Sequence, residues 1–185
     1  MDESELRAQL EQHHAVSYGW ALSCCARNPV EAEDVLQTVY LKILQGRARY
    51  EGRSAFKTWL FAVIRTTAAD ERRRSWLRRL RLAGYAEARE HSIQPEAQRG
   101  AMEQSELSKA FQETLAKLPK RQREILHLVF YQDLSLQEAS EAMGVTLGSA
   151  RTHYARGKNR LREWLERSEH ANEYRWDRQH TETTL

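Results

Sequence analysis

Apolar residues return every three or four positions along most of this chain, and the places where they stop mark its organisation. From about Ser4 to Ala26, the positions Leu6, Leu10, His14, Ser17 or Tyr18, and Ala21 or Leu22 share one side, which predicts a single helix. Asn28-Pro29 ends it, because the residue before a proline is pushed out of helical geometry. A second helix is predicted from Pro29 to about Gln45, with Val35, Leu36, Val39, Tyr40, Ile43 and Leu44 facing inward. Its acids Glu31, Glu33 and Asp34 sit near the positive end of the helix dipole. After a loop over 46–54, a third helix runs from Ala55 past Arg74, with Phe56, Trp59, Leu60, Val63 and Ile64 inward and Ala68 following. The pattern dissolves over 82–104, where few large apolar residues stand among Glu, Gln, Ser and Ala; this stretch reads as a flexible linker. It returns with Leu107, Phe111, Leu115 and Leu118, and Pro119 opens a further helix carrying Ile125, Leu126, Val129 and Phe130. Residues 168–185 are a polar tail. The expected fold is all-α: two small helical domains, 1–81 and 105–167, joined by that linker.

The stretch SLQEASEAMGVTLGSARTHYARGK, from Ser135 to Lys158, predicts two short helices meeting at a glycine. Ser135 and Glu138 have the spacing of a capping box, Gly144 suits a left-handed C-cap, and Thr146 can cap a helix starting at Leu147. Leu136, Ala139, Ser140 and Met143 share one face, and Ala139 and Ala150 are small enough for a close crossing. This is the outline of a helix-turn-helix. The second helix carries Arg151, His153, Arg156, Lys158, Arg160 and Arg162, with Ser149 and Thr152 as short donors. Such a face fits phosphates and base edges, and it equally fits a solvated helix on a hairpin that only packs.

Composition narrows the choice. Of 185 residues, 41% are hydrophobic and 30% charged, with three Pro and eight Gly, which suits a mostly helical protein. The formal net charge is only +3, so any affinity for a polyanion must come from where the arginines cluster. No apolar run approaches the roughly 20 residues of a membrane span, and the acidic start MDESELRAQLEQ does not resemble a signal peptide. A cytoplasmic location without membrane insertion follows. Cys24 and Cys25 are adjacent, a poor geometry for a relaxed disulfide, and read as buried or half-buried free thiols. Their spacing from His13 and His14 matches no common zinc pattern, so no metal or cofactor is expected. No glycine-rich phosphate loop, GxSxG or HExxH occurs, and no catalytic residue is assigned.

Three motifs stand in order: EAEDVLQTVYLKIL, FKTWLFAVIRTTAADERRR, and LPKRQREILHLVFYQDLSLQEASEAMGVTLGSARTHYARGKNRLREWL. Together they closely resemble the extracytoplasmic-function (ECF) sigma factors, the two-domain members of the bacterial sigma-70 family. The resemblance implies a factor that directs core RNA polymerase to promoters and helps open the minus-10 element. It implies docking on the polymerase beta-prime clamp through Glu33, Asp34 and Gln37, with the second domain touching the beta flap. It implies minus-10 contacts by Lys57, Arg65, Thr66, Asp70, Arg73 and Arg74, and minus-35 contacts by Ser149, Arg151, Thr152, His153, Arg156 and Lys158. An anti-sigma partner is implied as well. Thr38 and Thr66 stand where the family usually has an acid and an asparagine.

Beside that resemblance, the residues suggest further expectations. The cations of the middle motif can hold a backbone while a loop after the helix receives an unstacked base. Asp70 can orient Arg73 or Arg74 through a paired contact. Trp59 belongs in the core and Tyr154 packs near Ala139 and Leu126; Gly157 falls inside a helix where the family usually has a small residue, so there the resemblance implies close helix packing. The competing reading is a helix-turn-helix regulator that binds DNA alone, its first domain a sensor. The tryptophan- and arginine-containing middle motif weighs against it.

Overall fold

The computed structural model describes residues 2–83, 115 and 117–167. The expected linker beyond residue 83, the helix around Leu107 and Phe111, and the tail from 168 lie outside the described residues. Those described form seven helices and no strand: α1 (Glu3–Gln12), α2 (His14–Cys24), α3 (Pro29–Leu44), α4 (Phe56–Ala83), α5 (Lys120–Phe130), α6 (Leu136–Met143) and α7 (Leu147–Arg167).

The helix expected over Ser4–Ala26 is two helices. His13 has left helical geometry at φ −97°, ψ 5°, and its ring Nδ1 lies 2.9 Å from the Gln9 carbonyl oxygen. Its own carbonyl then starts the next helix by accepting from Ser17 N–H at 2.9 Å. The Gln9 carbonyl oxygen faces both the His13 ring and the His13 N–H, the latter at 3.1 Å, at this bend. α3 begins as expected: the Asn28 side chain accepts from Glu31 N–H, and Pro29 occupies the first turn, where its missing N–H costs nothing.

Trp20 anchors the first half, with 0% of its surface exposed and its indole Nε1 donating to the Phe61 carbonyl at 3.0 Å. Ala21, Val35, Leu36, Val39, Leu60 and Ile64 surround it, all buried. Trp59 is only half-buried, against Tyr50 and Phe56. Leu44, expected inside, is 49% exposed, because α3 has its core on the Val35–Val39–Ile43 side.

In the second half, the Ser135–Glu138 capping box forms in both directions, and Gly144 takes the left-handed conformation at φ 60°, ψ 43°. Thr146 Oγ1 accepts from Ser149 N–H at 3.2 Å, capping α7. Ala139, Met143 and Ala150 are fully buried where α6 and α7 cross. Gly157 is where α7 meets α5: a Cβ there would stand 3.1 Å from Leu126 Cδ1 and 3.3 Å from Gln122 Cβ. The close approach explains a glycine inside a helix, where it otherwise costs about 1 kcal/mol against alanine.

The two halves also meet each other: α6 lies against α4, and α5 against α2. The rings of Trp20 and His127 are 5.3 Å apart across this contact.

Candidate nucleic-acid interface

α7 presents the expected reading face to solvent. Ser149, Arg151, Thr152 and Arg156 are exposed, while His153 and Lys158 are half-buried. Lys158 Nζ sits 5.8 Å from the centre of the Tyr154 ring, a cation–π distance. That ring lies 5.9 Å from Phe130, so Tyr154 is a packing residue that props one cation. Thr152 spends its hydroxyl hydrogen on the Gly148 carbonyl at 3.0 Å. The opposite side of α7 is fixed by Gly157 and Leu161, both buried. The exposed face is thus rigidly held, with Arg151 and Arg156 reaching solvent, as base-edge recognition requires.

α4 is different. Thr66, Asp70, Arg73 and Arg74 are exposed as expected, with the Thr66 hydroxyl turned back on Ala62 O and Val63 O. Arg74 pairs with Glu71 at 2.7 Å, so the orienting acid is not Asp70 but the residue three before Arg74, within reach along the helix. Arg72 donates to the Cys24 carbonyl at 3.0 Å and so ties α4 to the end of α2. Lys57 and Arg65, however, are turned toward the second half. Lys57 Nζ donates to the Gln132 carbonyl at 2.6 Å. Arg65 Nε donates to Glu124 Oε2 at 3.1 Å, with side-chain exposures of 16% and 2%.

The loop expected after the basic run does not exist there. α4 continues as helix through Ala83, since SWLRRLRL has good helix formers and no breaker. The loop beside α4 is the one before it, over residues 45–55. It carries exposed Arg47, Arg49 and Arg53 above the Tyr50–Phe56–Trp59 ring cluster. Gly46 and Gly52 have φ of +68° and +73° in this loop, conformations that glycine adopts without strain. Sequence reading missed these arginines, and the two glycines, which bracket Arg47 and Arg49 and immediately precede Arg53, were the available signal.

On α3, Glu33, Asp34 and Gln37 are all exposed. The structure adds apolar neighbours to them: Val30, Leu41 and Leu44 are 66%, 55% and 49% exposed. Val30, Asp34, Gln37, Leu41 and Leu44 follow alternating four- and three-residue steps, the seam of a helix waiting for another helix. Beside Leu44 a hollow of about 370 Å³ is lined by Arg7, Leu10, Glu11, His14 and Tyr40.

Cys24 and Cys25 are free and buried. Burial, then the Glu124 charge, pushes the Cys24 thiol far up, and burial pushes Cys25 to about 11. Neither is a reactive thiolate near neutrality. Among the described residues no His, Cys, Asp or Glu cluster could hold a metal, and no helix is long and apolar enough to cross a membrane.

Comparison with known proteins gives this geometry a context. Residues 10–78 match the family model "Sigma-70 region 2", and residues 108–161 match "Sigma-70, region 4". The ECF RNA polymerase sigma factor SigX of Bacillus subtilis is 30% identical over 141 residues, covering 74% of this chain and 71% of that one. The RNA polymerase sigma factor CarQ of Myxococcus xanthus is 29% identical over 152 residues, covering 82% and 84%. Among solved structures, the sigma factor RpoE of Bartonella quintana, crystallised with the anti-sigma factor NepR, has a similar fold. Its TM-score is 0.67 at 23% identity, over 89% of this chain and 98% of that one.

Proposed function

Since this chain belongs to the ECF group of the sigma-70 family of RNA polymerase sigma factors, we propose a division of its work among three helices. The protein directs core RNA polymerase to specific promoters and helps open the minus-10 element; it is an initiation factor and not an enzyme. It works with polymerase, in the cytoplasm.

α3 docks on the polymerase clamp. Asp34 and Gln37 supply the polar contacts and Leu41 and Leu44 the apolar ones, on a stripe that fits a helical partner. α7 enters the major groove of the minus-35 element, where Arg151 and Arg156 read base edges and Ser149, Thr152, His153 and Lys158 position the helix. α4 serves the minus-10 element: Lys57, Arg65, Arg73 and Arg74 hold phosphates, Thr66 and Asp70 border them, and the 45–55 loop offers the site for an unstacked base. The flap of the beta subunit and an anti-sigma protein complete the set of partners.

The observation that carries this reading is the order of two sigma-70 regions along one chain, the second ending in a helix whose basic face is exposed and whose back is locked by Gly157. Transcription with purified core polymerase on a library of genomic fragments tests it. Start sites should share two spaced promoter elements. Transcription no greater than that of core enzyme alone would overturn it.

A further inference from the structure

The two arginines of α7 assigned to base reading stand at the edges of one exposed face, and the residues between them end in methyl groups. Arg151, Thr152, Ala155 and Arg156 are all exposed. Along the axis the two arginines are about 7.5 Å apart, with Thr152 and Ala155 between them. Around the axis, at roughly 100° per residue, the arginines bound an arc of about 140° that again contains Ala155 and Thr152. Thr152 donates its hydroxyl to the Gly148 carbonyl at 3.0 Å, back along the helix. Its γ-methyl is left as the group free to meet a partner, and Ala155 has nothing but a methyl. By the same helical count, Ser149 and Lys158 fall just outside the arc on either side, where the phosphate walls of a groove would stand.

Gly148 lies near the middle of this arc, one turn before Thr152, and is exposed. A Cβ there would meet nothing within 4 Å. Packing within the chain therefore does not call for glycine, a residue that weakens a helix. A missing side chain does let the helix surface come close to what lies opposite. Asn159, exposed one turn after Ala155, closes the far end of the apolar stretch.

We propose that α7 reads thymine methyl groups with Thr152 and Ala155, on base pairs lying between those that Arg151 and Arg156 contact. This rests on the reading of α7 as the minus-35 helix; it gives Ala155 a role and adds base reading to the positioning done by Thr152. Thymine alone presents a methyl group in the major groove, while the edges of the other bases are lined with donors and acceptors. Set against two methyls, an adenine amino group or a guanine carbonyl loses water and gains no partner, which costs binding. A thymine methyl there only leaves water, which favours binding. The division of labour follows from the side chains. Each arginine can grip guanine O6 and N7, and the short residues between them let the helix sit low enough for methyl to touch methyl.

The test uses holoenzyme assembled from the full chain and core polymerase, on a promoter found by the transcription mapping. Each minus-35 thymine is replaced in turn by deoxyuridine, which lacks the methyl and keeps every hydrogen-bonding group. Between the base pairs located with Arg151→Ala and Arg156→Ala, wild type should bind about fourfold more weakly for each methyl removed, the worth of one buried methyl-sized group. Thr152→Ser keeps the hydroxyl and deletes the methyl, and Ala155→Gly deletes the other methyl. Each variant should lose the sensitivity at the thymine that its methyl touched; Thr152→Ser alone decides where Ala155→Gly loses helix content. Deoxyuridine without effect on wild type would overturn the proposal. So would losses of unchanged size in both variants, or a minus-35 element with no thymine between the two arginine contacts. Sensitivity to base changes without sensitivity to the methyl sinks this inference alone, whereas indifference to every minus-35 base change sinks the assignment of α7 as well.

Discussion

Helices α4 and α7 both carry arginine-rich faces, and their sequences suggest the same task for each. In the folded chain they are in opposite states. Every α7 arginine assigned to base reading is exposed, whereas Arg65 of α4 is 16% exposed and paired with a carboxylate that is 2% exposed. The difference lies in what packs behind and in front. α7 is held from behind by Gly157 and leaves its front free; α4 is held from behind by Trp20 and the α3 core, and part of its front is taken by α5 and the turn that follows it. Basic residues in sequence therefore do not say which cations are exposed; tertiary packing decides that.

The largest consequence is in stability. Arg65→Ala takes from buried Glu124 its cross-domain partner and leaves it Lys120 and Arg121 of its own helix, so the fold should lose about 1.5–3 kcal/mol, the worth of a hydrogen bond to a charged group. Arg156→Ala removes an exposed cation and should stay within about 0.5 kcal/mol. Urea denaturation of both variants reads the contrast directly; equal midpoints would erase the distinction drawn between the two helices.

Next comes acid sensitivity, which belongs to the closed side alone. Burial, with the Arg27 charge added, pushes His127 down to about 4 from 6.5. The ring faces Trp20 of α2, stacks on Tyr131, and lies 3.2 Å from Gln132 Nε2; the Lys57 ammonium is bonded to the Gln132 carbonyl nearby. Unfolding restores the ordinary value, so the unfolded state binds more protons between those two pH values. The folded chain is fully stable above about 6.5 and weakens as pH falls toward 4, by at most about 1.4 kcal/mol per pH unit. A His127→Phe variant should flatten that slope in the same denaturation series.

A smaller effect sharpens the open side. Arg151→Ala and Arg156→Ala should each cost about 1–3 kcal/mol on the cognate minus-35 element, and less where the contacted base pair is changed. Smallest is Lys158→Ala: it should weaken all sequences alike and reduce the salt dependence by about one counterion. A base-substitution series in holoenzyme separates these, since uniform losses for the two arginines would make them backbone contacts.

Much of this was legible from residue order. The capping box at Ser135, the Gly144 cap and the exposed acids of α3 each follow from local rules, because one turn of helix contains both the cause and the effect. What escaped was what distant segments do. Trp20 sits on the α2 stripe beside Ala21, yet only the fold shows Phe61 and His127 meeting it. Leu41 and Leu44 obey the helical period and still face solvent, since a seam for a missing helix looks like a core stripe in sequence. The bend at His13 interrupts a helix that periodicity ran straight through, and hydrophobic pattern carries no sign of it. Glu124 reads as an ordinary helix acid until Arg65, 59 residues away, is found against it.

The central claim is that the second half covers part of α4, and the work with polymerase proposed above requires that part to be uncovered. It can be followed with donor and acceptor dyes on cysteines placed at Arg53 and Glu141, both exposed and in different halves. The native thiols, buried and with raised pKa values, stay unlabelled. The account predicts high energy transfer in the free chain and a drop to low transfer when core polymerase is added. Low transfer in the free chain, or high transfer that persists in a transcribing holoenzyme, would contradict it.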